Sequence, residues 1–200
     1  MDNSSKPVTL YIFRHGQTEW ARLGQHTGRT DIPLTDIGRD QARALRDAIS
    51  HIDFCDVLVS PLSRARETAQ LAGMEAVKIC DDLAEIHYGK YEGLTTEQIR
   101  KDVPGWTVWT HPCPDGESLD EAAQRCQNVI DTACGIGGKV ALFAHGHILR
   151  ILTATWLKLP PQEGKHLMLD TSTISVLAHE RENRAIKIWN SPTNLLAAMP

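Results

Sequence analysis

The chain has no basic excess: 21 Lys and Arg stand against 25 Asp and Glu, for a net charge of −4 and a pI near 6.1. Nucleic-acid binders and proteins of anionic membrane surfaces carry the opposite balance, so both classes are set aside. An anionic ligand must therefore be gathered by a few placed cations. No apolar run approaches membrane-spanning length, and the opening MDNSSKPVTL lacks the charged-then-apolar order of a secretion signal. No C-x-x-C pair occurs among Cys55, Cys80, Cys113, Cys126 and Cys134. Their odd number fits free thiols in a reducing cytoplasm better than a disulfide framework or a zinc site. There is no internal repeat and no linker, so residues 1–200 are expected to form one domain, long enough to bury a sizeable core.

What the chain does have is alternation. VTLYIF (8–13) is β-branched and aromatic and predicts a strand. TDIGRDQARALRDAIS (35–50) puts Ile37, Ala44, Leu45, Ala48 and Ile49 near one helical face, opposite charged positions. CDVLVS (55–60) reads as a short buried strand stopped by Pro61, and LSRARETAQLAG (62–73) as a helix ending at Gly73. A less regular region follows, roughly 80 to 118. In it Thr95 with Gln98, and Ser118 with Glu121, carry the capping-box spacing of two helix starts. KVALFA (139–144) is a further buried strand, and HILRILTATWLKL a helix closed by Pro160 and Pro161. TISVLAHE (173–180) and RAIKIW (184–189) predict a hairpin across RENR, and SPTNLLAAMP a loosely held tail. Short apolar strands between helices imply an α/β sheet covered on both faces, mostly parallel with antiparallel additions.

In such sheets ligands bind beyond the carboxyl ends of the strands. The first strand ends in Arg14 and His15, the second in Ser60 and the SRAR run with Arg64 and Arg66, and the 139–144 strand in His145 and His147. LAEIHYGKYEG adds Glu85. Two arginines, two histidines and a carboxylate suit phosphoryl transfer. Guanidinium forks match phosphate oxygens. Imidazole can attack phosphorus, and a carboxylic acid can protonate the leaving alkoxide and then deprotonate water. A zinc site on His15, His145 and His147 is disfavoured, because Arg14 and Arg64 would stand as like charges around the cation.

RHGQTEW, TGRTDIPLTDIGRDQA, SPLSRARETA, LAEIHYGKYEGLT and FAHGHILR resemble the successive motifs of the histidine phosphatase superfamily, which includes cofactor-dependent phosphoglycerate mutase. The resemblance spans about residues 8 to 150. It implies a three-layer α/β/α sandwich and a phosphohistidine mechanism with no metal and no cofactor. It makes His15 the nucleophile and Glu85 the proton donor, with Arg14, Arg64 and His145 completing the phosphate pocket. Thr27 and Gly28 match the substrate-contacting pair of the next loop. Gln17, Tyr88, Gly146 and His147 fall at neighbouring pocket positions.

Two departures stand out: Ala21 replaces an asparagine that contacts phosphate, and Gly146-His147 replaces the glycine-asparagine pair of the mutases. Gly146-His147 and the short GKYEG stretch favour the phosphatase branch over a mutase, and the intact set of His15, Glu85, Arg14 and Arg64 argues against an inactive phospho-ligand binder. Within that branch the chain is similar both to sedoheptulose-1,7-bisphosphatase and to bacterial acid phosphatases, which agree on the reaction and differ in substrate. Small phosphorylated metabolites are the expected partners, with residues 86–118 as a lid-like insertion over the pocket. Arg22 and Arg29 are candidates for a second phosphate. Arg66 and Glu67 are expected on a solvated face, and Trp106 and Trp109 in packing. A neutral His15 beside a protonated Glu85 predicts a bell-shaped pH profile peaking at about pH 5 to 6.5.

Overall fold

The protein is described from a computed structural model covering residues 7–193; most of the expected loose tail lies outside the described residues. Among them the chain order is β1 (Thr9–Arg14), α1 (Glu19–Leu23), α2 (Asp36–Ile49), β2 (Asp56–Val59), α3 (Ser63–Leu71), β3 (Lys78–Ile79), α4 (Thr96–Asp102), α5 (Leu119–Ile136), β4 (Lys139–Ala144), α6 (Gly146–Trp156), β5 (Ile174–Glu180) and β6 (Asn183–Ser191). The strands form one sheet in the order β3-β2-β4-β1-β5-β6. The first four of that order run parallel, while β5 and β6 add an antiparallel edge. The expected α/β class and mixed sheet are therefore present.

Strand side chains alternate between faces, so each strand feeds two cores. Leu10, Ile12, Val140 and Leu142 pack with α5 and α6 through Val129, Ile130, Ile148 and Leu152. Phe13, Val59, Ala141 and Phe143 pack on the other side with α2 and α3 through Leu45, Ile49, Ala65 and Ala69. That makes three layers. Register positions the site: Thr9 pairs with Lys139 and Arg14 with Ala144, so β1 and β4 stop at the same level. His15 and His145 consequently leave the sheet side by side at its carboxyl rim.

One sequence-derived face is corrected. Ile37 is 58% exposed and Ala44 is also exposed, while Gly38, Ala42, Leu45, Ala48 and Ile49 point inward. The first turn of α2 lies directly on the loop that follows β1, where a Cβ at position 38 would stand 2.1 Å from the carbonyl oxygen of Gln17. Only glycine fits there, so position 38 rather than 37 faces inward, while Leu45, Ala48 and Ile49 keep the expected face. Both capping boxes form, at Thr95–Gln98 and Ser118–Glu121. Helix α6 stops at Trp156, before the prolines, with Lys158 at φ +60°. The hairpin closes from Glu180 to Asn183. The short elements α1 and β3 were not foreseen as a helix and a strand.

Candidate active site

His15 is 4% exposed, and its Nδ1 lies 2.7 Å from the carbonyl oxygen of Gly16. A carbonyl only accepts, so Nδ1 carries the proton and Nε2 the lone pair. Burial first, then the charges of Arg64 and Arg14, hold the pKa of His15 well below the ordinary imidazole value. The ring is thus neutral at neutral pH, with Nε2 unprotonated. Arg14 donates through Nη1 to the Leu169 carbonyl at 2.5 Å, but its buried Nε has no partner. A buried, unpartnered donor is costly unless a ligand satisfies it.

Arg64 starts α3 beneath the rim and is fully buried. Its Nε donates to His145 Nδ1 at 3.0 Å. Its terminal nitrogens donate to the carbonyls of Thr30, Thr27 and Gly28 at 3.0, 3.1 and 2.9 Å. The phosphate fork expected of this arginine is therefore turned onto backbone oxygens, because loop 27–30 points its carbonyls inward. His145 has both ring nitrogens engaged, Nε2 lying 2.7 Å from Ser60 Oγ. Its ring packs against that of His15, with centroids 5.1 Å apart.

Glu85 sits at the start of α6. Its Oε1 accepts from the backbone N–H of Ile86 and Ile148 at 3.0 and 2.8 Å, and its Oε2 from that of His147 at 2.9 Å. Oε2 accepts one bond where Oε1 accepts two, so it keeps more room for a proton. Beside it, burial pushes the pKa of Tyr88 well above that of a free phenol and that of His147 well below that of free imidazole. The phenol therefore donates to His147 Nδ1, at 2.6 Å.

These groups border a cavity of about 170 Å³. Of the sequence candidates, Arg14, His15, Thr27, Glu85, Tyr88, Gly146 and His147 line it, as does Ala21 where the asparagine is missing. Arg64 and His145 stand behind it. Gln17 does not line it, because its Oε1 takes a hydrogen bond from Thr35 Oγ1 at 3.1 Å. Gly28 does not line it either: its carbonyl serves Arg64, and a Cβ there would stand 2.2 Å from the Ile86 carbonyl oxygen. Arg22 pairs with Glu19 on the exposed surface, and Arg29 opens onto a separate groove with Glu117 and Arg125. Neither faces the cavity. Glu67 pairs with Arg39 at 2.7 Å, and Trp106 is buried, as expected for packing.

Three residues escaped the sequence reading. His26 lines the cavity, bonds Thr96 Oγ1 at 3.2 Å, and has its pKa lowered by burial to about 4. Its one sequence signal is its place next to Thr27-Gly28. Glu92 accepts from the N–H of Gly28 and Thr30 through Oε1 at 2.7 and 3.0 Å, while its buried Oε2 has no partner. It clamps the loop that clamps Arg64. Arg150, read only as part of a helix, also lines the cavity.

Among the described residues, no cluster of three or more His, Cys, Asp or Glu is placed to hold a metal ion. No described helix is long and apolar enough to cross a membrane.

A neutral imidazole with a free Nε2 beside an unsatisfied buried guanidinium, at the carboxyl rim of an α/β/α sheet, defines the class: an enzyme of phosphate esters. Residues 10–192 match the pattern of the histidine phosphatase superfamily (branch 1), and the chain belongs to that superfamily. It is 39% identical over 183 residues to an acid phosphatase of Mycobacterium tuberculosis, covering 90% of each chain. It is 34% identical over 186 residues to sedoheptulose 1,7-bisphosphatase of Saccharomyces cerevisiae, covering 76% of this chain and 68% of that one. A probable phosphoglycerate mutase of Serratia proteamaculans is 32% identical over 194 residues, with 91% and 90% covered. The solved structure of an open reading frame from Mycobacterium tuberculosis superposes with a TM-score of 0.88 at 36% identity, covering 92% of this chain and 98% of that one.

Proposed function

We propose that the protein is a metal-independent phosphomonoesterase of small phosphorylated metabolites, sugar phosphates or bisphosphates, acting through a phosphohistidine on His15. The observation that carries this reading is the free Nε2 of neutral His15 next to the unpartnered Nε of Arg14. Nε2 attacks phosphorus as the ester P–O bond breaks, and the departing oxygen takes a proton from Glu85. The bond from Nδ1–H to Gly16 supports the positive charge that the phosphorylated ring acquires. Glu85, now a carboxylate, removes a proton from water, whose oxygen attacks phosphorus. The P–N bond breaks, releasing phosphate and restoring neutral His15. Arg14 meets the charge on the transferring group, while Arg64 adds a fixed buried charge and holds His145 in place.

Thr27, Tyr88, Gly146 and His147 would contact the substrate body. Residues 86–118 would form the mouth of the pocket within a single domain, a reading supported by Tyr88 on the cavity wall and by Trp109 against His147, with ring centroids 5.2 Å apart. The five free cysteines support a reducing, cytoplasmic setting. Acid-quenched enzyme given labelled substrate should carry acid-labile phosphate, and His15→Ala should carry none. Full activity in His15→Ala would end this proposal. The kinship with a probable mutase favours a second reading, phosphoglycerate mutase. Isomerisation of 3-phosphoglycerate faster than phosphate release would establish it in place of the first.

A further inference from the structure

We infer that Arg150 forms a second anion subsite, selecting substrates that carry another acidic group within a few bonds of the ester; this rests on the phosphomonoesterase reading. Arg150 lies just over one turn into α6 and lines the same cavity as His15. Its Nε donates to the Gly164 carbonyl at 3.0 Å and its Nη2 to the Lys165 carbonyl at 3.2 Å. The guanidinium carbon stands 4.5 Å from the centre of the Trp109 ring. These contacts hold the guanidinium plane and leave Nη1 without a protein partner among the described residues.

Nor does a carboxylate among the described residues form an ion pair with Arg150. Glu85, the carboxylate of the cavity, spends its oxygens on the backbone N–H groups of Ile86, His147 and Ile148. Of the arginines once considered for a second acid group, Arg22 is paired at the surface and Arg29 faces another groove. Arg14 and Arg150 are the arginines on the cavity wall. With Arg14 engaged by the transferring phosphoryl group, Arg150 remains to meet a second anion. A fixed, planar fork braced on an aromatic face suits a carboxylate or phosphate oxygen pair. A cavity of about 170 Å³, below the roughly 300–1,000 Å³ of pockets for drug-sized ligands, keeps that anion close to the ester.

A matched pair tests this: 3-phosphoglycerate and glycerol 3-phosphate share a three-carbon skeleton and differ by a carboxylate against a CH₂OH. The wild type should show kcat/KM for phosphate release about tenfold or more higher on the acid. Arg150→Gln should bring that ratio close to one, and Arg150→Lys, which keeps the charge but not the fork, should fall between. Arg22→Gln and Arg29→Gln should keep the wild-type ratio. Propane-1,3-diol bisphosphate against propane-1,3-diol monophosphate repeats the comparison with a phosphate as the second anion and tells the two sources apart. A role of Arg150 as a mere brace for residues 164–165 predicts equal losses on both members of a pair, and that result overturns the inference. So does a wild type without preference in either pair, which also decides the matter should the variants not fold. Hydrolysis of 4-nitrophenyl phosphate separates the two failures: if that ester is untouched as well, the phosphomonoesterase reading itself fails.

Discussion

A single hydrogen bond of 3.0 Å, from Arg64 Nε to His145 Nδ1, decides where His145 keeps its proton. The proton must sit on Nε2, which then donates to Ser60 Oγ. His145 therefore supports His15 by packing, with neither nitrogen left over for a ligand. Arg64→Met would strip donors from His145 and from three loop carbonyls at once. Each of the four stranded acceptors costs on the order of 1 kcal/mol or more, so a loss of about 4 kcal/mol or more is expected in urea unfolding. Ser60→Ala should cost about 1 kcal/mol. If Arg64→Met unfolds at the wild-type midpoint, the buried network is not structural.

Four desolvated imidazoles, His15 and His145 buried and His26 and His147 half-buried, set the acid side of the stability curve. His15, His145 and His147 have pKa values well below the ordinary 6.5, and His26 falls to about 4, with burial the leading cause in each case. In the unfolded chain all four bind protons as the pH drops through 6.5, while the folded chain does not. Unfolding then takes up protons, so stability is full above about pH 6.5 and declines as the pH falls below it. Thermal melts at pH 7.5, 6 and 5 should show a falling Tm, and His26→Gln should flatten the slope. A Tm that rises over that interval would contradict the burial of neutral rings. The same depression keeps His15 nucleophilic at the acidic pH where the bell-shaped profile is expected, moving the acid limb of kcat/KM below the usual histidine range.

Glu92 is two steps away from Arg64, and its removal should be felt there. Glu92→Leu leaves the N–H groups of Gly28 and Thr30 without their acceptor, at a cost of about 2 kcal/mol. It also frees the carbonyls that hold Arg64, so kcat should fall more than KM rises. Glu92→Gln retains an acceptor oxygen and should recover most of both. Equal behaviour of the Leu and Gln variants would show that the clamp has no effect on the site.

The assignment of Glu85 as proton donor is tested by leaving group. Glu85→Gln should slow a sugar phosphate, whose alkoxide needs a proton, at least about tenfold more than 4-nitrophenyl phosphate, whose phenolate does not. Equal slowing of the two esters would remove Glu85 from that role.

The rim was legible because each contributing strand announces its end: a β-branched or apolar run followed at once by RHG, SPLSR or AHGH. The helix starts at Thr95 and Ser118 were legible for a similar reason, since a capping box is complete within four residues. What could not be read depends on contacts between distant segments. The inner face of α2 begins at Gly38 and not at Ile37 because Gly38 meets Gln17. Glu92 gains its meaning from N–H groups 62 and 64 residues away. The fork of Arg64 was expected to point at substrate, and its diversion follows from a loop fold that no local pattern specifies. Arg150 looked like one more polar position on an otherwise apolar helix.

His145, at the head of α6, offers that helix no side-chain cap; Glu85, more than sixty residues upstream, accepts from its first free amides instead. If the proton that leaves for the ester and returns from water sits on Oε2, it departs from the very atom that tethers the amide of His147. A neutral carboxyl accepts less strongly than a carboxylate, so the tether slackens whenever the proton is aboard and tightens whenever it is gone. The chemical cycle is then also a mechanical one. On that reading the amide of His147 is held more loosely while Glu85 carries the proton and more tightly once it is ionised, with Oε1 keeping its hold on Ile148.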